Sequence, residues 1–62
     1  MIDAATKIYW AIQDTPRTFD ELGPDTGLRA TQVRNGLRNL FREDRIEDFT
    51  DNGAVLYRVK IR

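Results

Sequence analysis

The sequence predicts a small α+β domain in which three helices precede a C-terminal β-hairpin, and three observations predict it. Residues 3–14 and 30–43 repeat their apolar side chains at helical spacing. Between them, Thr18-Phe19-Asp20-Glu21 has the form of a capping box, which opens a further helix. Two strand-like runs, residues 46–50 and 54–61, are separated by Asp51-Asn52-Gly53, and Asn-Gly is a strong hairpin signal.

In residues 3–14, Asp3 is placed to cap the helix, Ala4 and Ala5 favour it, and Thr15-Pro16 stops it. At about 100° per residue Ala4, Ala5, Ile8, Ala11 and Ile12 share one face, with Tyr9 on its flank. Trp10 falls almost opposite, among Thr6, Lys7, Gln13 and Asp14, which is out of place in a monomer. Residues 17–19 read as an extended link. In the second helix Pro24 removes a backbone donor and crowds the carbonyl of Asp20, so a short or distorted helix ending at Gly27 is expected.

Residues 30–43 form the best-defined helix. Ala30, Val33, Leu37, Leu40 and Phe41 make its apolar stripe, and Gly36 is expected to permit close packing. Thr31, Gln32, Asn35, Arg38, Asn39 and Arg42 project from the opposite side, with Arg34 flanking them. With Asn52 and Gly53 as turn residues, Ile46 faces Val59 and Thr50 faces Val55 on one side of the hairpin. Glu47 then faces Arg58, and Phe49 faces Leu56, on the other. No repeat, linker or low-complexity tract interrupts the chain, so residues 1–62 are expected to form one domain.

Sixty-two residues bury only a small core, and self-association is the expected further source of stability. Cysteine and histidine are absent, which excludes disulfides, thiolate nucleophiles, the usual zinc ligands and the commonest general base. The ten carboxylates fall into no nucleophile, base or metal constellation, and there is no Gly-rich phosphate loop. The chain therefore does not read as an enzyme, and no cofactor, metal or small-molecule ligand is expected. No apolar run approaches the ~20 residues that cross a bilayer. Residues 1–6 carry Asp3 where a signal peptide would be basic, so a cytoplasmic protein is expected.

Ten basic and ten acidic residues cancel, and the pI near 6.1 lacks the basic excess of many nucleic-acid binders. The charge is nevertheless segregated. Residues 1–28 carry −3, residues 29–42 carry +4 without a single acid, residues 43–51 carry −4 and residues 52–62 carry +3. A local cationic segment can orient a polyanion even at zero net charge, because potential acts within a Debye length of ~10 Å. A helix face that serves only for solubility usually alternates Arg with Glu, and here the acids are missing.

Four segments carry a family likeness: Phe19-Asp20-Glu21-Leu22, Thr26-Gly27-Leu28, the run Val33-Arg34-Asn35-Gly36-Leu37-Arg38-Asn39-Leu40, and Tyr57-Arg58-Val59. With the order helix, short strand, short helix, long helix, hairpin, the chain resembles the winged helix-turn-helix family of small transcriptional regulators over nearly its whole length. The resemblance implies a three-helix winged helix-turn-helix with a C-terminal β-hairpin wing, whose third helix lies in the major groove of double-stranded DNA. It further implies a repressor or autoregulator, a homodimer, and a wing that contacts backbone or minor groove. The sequence departs from the pattern at Pro24-Asp25 and at Asp48 and Asp51 near the wing tip, where acids repel phosphate.

Arginine can donate in bidentate fashion to guanine, and asparagine or glutamine to adenine. Gln32, Asn35 and Arg38 are accordingly expected near base edges, with Thr31, Arg34 and Arg42 near phosphates and Asn39 beside them. Arg58, Lys60 and Arg62 supply the hairpin's positive charge, with Glu47 offsetting Arg58. Trp10, Phe49 and Leu56 are the candidate dimer or partner interface, since large rings anchor association. The competing reading is a protein-interaction module in which Arg34, Arg38 and Arg42 meet an acidic partner. RNA ranks last, because its A-form major groove is too narrow for a helix.

Overall fold

The computed structural model describes residues 2–61; Met1 and Arg62, the latter counted above among the hairpin's cations, lie outside them. The elements are α1 (Ala4–Ala11), β1 (Arg17–Thr18), α2 (Phe19–Thr26), α3 (Ala30–Arg42), β2 (Ile46–Asp51) and β3 (Ala54–Val59). The strands form one antiparallel sheet in the order β1-β3-β2. A small α+β domain is the result, compatible with the element order read from the sequence.

Asp3 caps α1: its Oδ1 accepts from the Thr6 amide at 2.9 Å, and hydrogen bonding by Thr6 holds the carboxyl below its usual range. The helix closes at Ala11, short of the expected residue 14. Ile12 leaves helical geometry, and the Ala11 carbonyl is taken at 3.2 Å by Nε of Arg17, reaching back from β1. At α2 the capping box is complete: Thr18 Oγ1 accepts from the Glu21 amide at 3.2 Å, and Glu21 Oε1 accepts from the Thr18 amide at 2.9 Å. The second bond is the main cause of a lowered Glu21 carboxyl pKa. Pro24 is accommodated inside this short helix, which stops at Gly27 in the left-handed region at φ 74°.

The core is Ile8 and Ile12 from α1, Leu22 from α2, Val33, Leu37 and Leu40 from α3, and Ile46 from β2. Tyr57 and Val59 close it from β3. Two of the five residues assigned to the apolar stripe of the third helix are exposed instead. Ala30 opens α3 beyond the edge of the core, and Phe41 is 40% exposed, set edge-on to Tyr57 with ring centroids 6.0 Å apart. Gly36 takes a buried place against α1. The hairpin has the register read from the sequence, from Ile46 opposite Val59 to Asp51 opposite Ala54. Asn52 and Gly53 turn it with φ of 51° and 81°, the double positive φ of a type I′ turn.

α3 ends in a Schellman arrangement: the Arg45 amide reaches the Leu40 carbonyl and the Asp44 amide the Phe41 carbonyl, both at 3.0 Å. The left-handed position, usually glycine, is Asp44 at φ 60°. Aspartate tolerates this region better than a β-branched residue does. Asp44→Val is therefore expected to cost ~1 to 2 kcal/mol while Asp44→Gly stays near neutral. Urea midpoints of the two variants check this, and equal losses would show that the Asp44 side chain rather than its backbone matters.

Candidate nucleic-acid interface

α3 divides cleanly between two faces. Val33, Gly36, Leu37 and Leu40 are buried, while Thr31, Gln32, Arg34, Asn35, Arg38, Asn39 and Arg42 are all exposed. Thr31, Asn35, Arg38 and Arg42 lie along the centre of the outer face, with Gln32 and Asn39 on one flank and Arg34 on the other. Thr31 to Arg42 extends over about 17 Å of helix axis, the length of about five base-pair steps.

The charge on this face is uncompensated. Among the described residues Arg29, Arg34, Arg38 and Arg42 make no ion pair, whereas Arg17, Arg45, Arg58 and Lys60 each have a carboxylate partner. The contrast is physical rather than statistical, because unpaired guanidinium groups on one helix add their fields. Arg34 is partly held, its guanidinium 5.9 Å from the centre of the Phe19 ring at the start of α2.

Gln32 has a second task that the sequence reading did not give it. Its Oε1 accepts from the Arg29 amide at 2.9 Å, one half of a capping box that closes the start of α3. The signal was available as a glutamine three residues after the cap position, masked by arginine where Ser or Thr is usual. The Arg29 amide holds the Gln32 carbonyl oxygen against the start of α3 and away from free use in bidentate recognition, while Asn35 and Arg38 make no side-chain hydrogen bond among those of the described residues.

The hairpin is electrostatically different. Glu47 offsets Arg58 as the register implies, with Nη2 to Oε2 at 2.6 Å, and the Arg58 guanidinium also lies 4.5 Å from the Phe49 ring centre. Lys60 is paired with Asp44 at 2.6 Å, a contact sixteen residues apart that no local pattern announces. Of the three predicted hairpin cations, Arg58 and Lys60, the two among the described residues, are thus paired with carboxylates, while Asp48 and Asp51 are exposed. Phe49 and Leu56 form a half-buried cross-strand pair on the outward sheet face, with Leu56 also opposite Thr18 of β1.

Trp10 is 58% exposed, as its place on the helix wheel requires. It borders an open hollow of about 310 Å³ between α1 and α2, lined also by Lys7, Ala11, Asp25 and Thr26. Phe49 and Leu56 do not line it, so the three candidate interface residues do not form one patch there. Among the described residues no cluster of carboxylates could hold a metal ion, and no helix is long and apolar enough to cross a membrane. No protein-family model, curated protein or solved structure matches the chain.

Proposed function

We propose that this chain is a winged helix-turn-helix domain that binds double-stranded DNA with α3 in the major groove, acting as a small transcriptional regulator. The observation that carries the reading is the outer face of α3, where three arginines, Arg34, Arg38 and Arg42, that make no ion pair among the described residues are interleaved with Thr31, Asn35 and Asn39. A 13-residue amphipathic helix held on the core by one face, with such a surface on the other, suits a groove of ~12 Å width. Asn35 and Arg38 are the proposed base readers. They are three residues apart, a rise of ~4.5 Å that puts them one or two base pairs apart. Arg34, Arg42 and Thr31 are proposed to meet phosphates. The paired cations of the hairpin support an interface centred on α3 with little ionic help from the wing.

The roles separate experimentally. Arg38→Ala is expected to relax base preference at one position by ~1 to 3 kcal/mol of discrimination. Arg42→Ala weakens every sequence alike and lowers the salt slope by about one. Binding-site selection on random duplexes with each variant reads both effects, and an identical uniform loss from both substitutions would refute the assignment.

The second reading is a protein-interaction module for an acidic partner. The neutralised hairpin and zero net charge favour it. Under it, excess duplex DNA does not compete for the α3 surface.

A further inference from the structure

We infer that the free edge of β2 is a docking strand for an extended, positively charged segment of another protein, which adds to the sheet as a further strand. In the order β1-β3-β2 the strand β2 is outermost, and it runs six residues against two for β1 at the other edge. Its pairing with β3 is one residue to one throughout, and the Lys60 amide, donating to the Arg45 carbonyl at 3.0 Å, continues the ladder. Antiparallel pairs alternate between hydrogen-bonded and open. With residue 45 bonded, Glu47, Phe49 and Asp51 turn their backbone groups to β3, and Ile46, Asp48 and Thr50 turn theirs away. Asp48 and Thr50 are exposed. Their N–H and C=O groups therefore stand along an edge that no other described strand takes.

The charge along this edge selects its occupant. Sheet edges are commonly protected from stray pairing by lysine, proline, a bulge or an inward-facing charge. β2 has no lysine, proline or bulge, and its protection is carboxylate. Glu47 is balanced by Arg58, while Asp48 and Asp51 make no ion pair among the described residues. A second copy of β2 would set these acids against each other, and a DNA phosphate would meet the same repulsion. A basic strand meets attraction at both positions.

Between the two acids along the strand, half-buried Phe49 lies on the outward sheet face beside Leu56 and gives an incoming strand an apolar neighbour. In antiparallel register the fitting segment reads cation, any residue, apolar residue, cation, opposite Asp51, Thr50, Phe49 and Asp48 in turn. Main-chain hydrogen bonds to Asp48 and Thr50 supply the attachment, and the flanking side chains supply the choice of partner. Such a segment meets a surface other than the cationic face of α3, independently of what α3 binds.

Amide hydrogen exchange of the isotope-labelled full chain, read by NMR during titration with the acetylated and amidated peptide Lys-Thr-Val-Lys-Thr-Val, tests this. The Asp48 and Thr50 amides are expected to exchange fast in the free protein and to slow roughly tenfold or more at saturation. Those of Glu47 and Phe49, already bonded to β3, stay as they were. The same peptide N-methylated at its second and fourth residues keeps its charge but cannot donate to the Thr50 and Asp48 carbonyls, and its Kd is expected to rise roughly tenfold or more. Glutamate in place of both lysines abolishes binding to the wild type and restores it to the Asp48→Lys, Asp51→Lys variant, whose fold circular dichroism checks. Equal affinity of the plain and N-methylated peptides would reduce the contact to charge alone and overturn the inference. Unchanged exchange at Asp48 and Thr50 with millimolar peptide overturns it as well. So does protection of both amides in the concentrated protein without peptide, which would assign the edge to a second copy.

Discussion

Gly36→Val is expected to lower the unfolding free energy by ~3 kcal/mol or more, a large share of the ~3 to 9 kcal/mol typical of a domain this size. The cause is the closeness of α1 to α3. A Cβ built at Gly36 would lie 2.6 Å from Cδ1 of Ile8 and 3.2 Å from backbone atoms of Ala4 and Ala5. Ile8 is fully buried and has little freedom to turn away, and the two backbone contacts cannot move without shifting α1. Gly36→Ala sets two effects against each other: alanine gains ~1 kcal/mol of helix propensity over glycine, and overpacking costs ~1 to 3 kcal/mol. The clash wins, because one of its contacts is below any normal van der Waals distance, and a net loss of ~1 to 2 kcal/mol follows. In a domain of this size each 1 kcal/mol moves Tm by ~4 to 8 °C. Thermal unfolding followed by circular dichroism checks both variants, and a stabilised Gly36→Ala would mean that α1 and α3 are further apart than described.

The second large effect concerns binding. Arg38→Ala combined with Arg42→Ala is expected to reduce duplex affinity by roughly 150-fold or more, since each charged contact contributes at least ~1.5 kcal/mol and the two together at least ~3 kcal/mol. Both side chains are exposed and unpaired, so the fold is expected to keep its stability within ~0.5 kcal/mol. That separation of function from folding is informative. Arg58→Ala makes the matching control, because its charge is already balanced by Glu47 and its loss should change affinity little. If Arg58→Ala weakens binding as much as the α3 variants, the hairpin takes a larger share of the contact than its ion pairs imply.

Much of the fold was legible because short-range chemistry determined it. The Thr18 and Glu21 capping box, the left-handed stop at Gly27 and the Asn52-Gly53 turn each bind residues within a few positions of one another, and the turn then sets every cross-strand pair. Trp10 was correctly placed outside by helical periodicity alone. Tertiary terms were not legible. Arg17 ends α1 early by reaching the Ala11 carbonyl from another element, and a wheel projection cannot show that Ala30 lies past the core and Phe41 at its margin. The Arg45 guanidinium lies 4.1 Å from the Tyr9 ring centre, joining the start of β2 to α1 by a contact between residues distant in sequence. At the candidate interface the cationic face of α3 could be read from composition. Neutralisation of Lys60 by Asp44 could not, and neither could the use of Gln32 as a cap, which shifts the weight of proposed base recognition to Asn35 and Arg38.

The most direct measurement is fluorescence anisotropy of a labelled random-sequence duplex, titrated with the protein at 50 and 200 mM salt. With two phosphates neutralised by Arg34 and Arg42, log affinity should fall against log salt with a slope of about −1.8, a loss of roughly 12-fold between the two conditions. The Arg38→Ala, Arg42→Ala variant should show no binding at the protein concentrations that saturate the wild type. Absence of wild-type binding at low salt and high protein concentration would contradict the DNA reading and turn the search to an acidic protein partner.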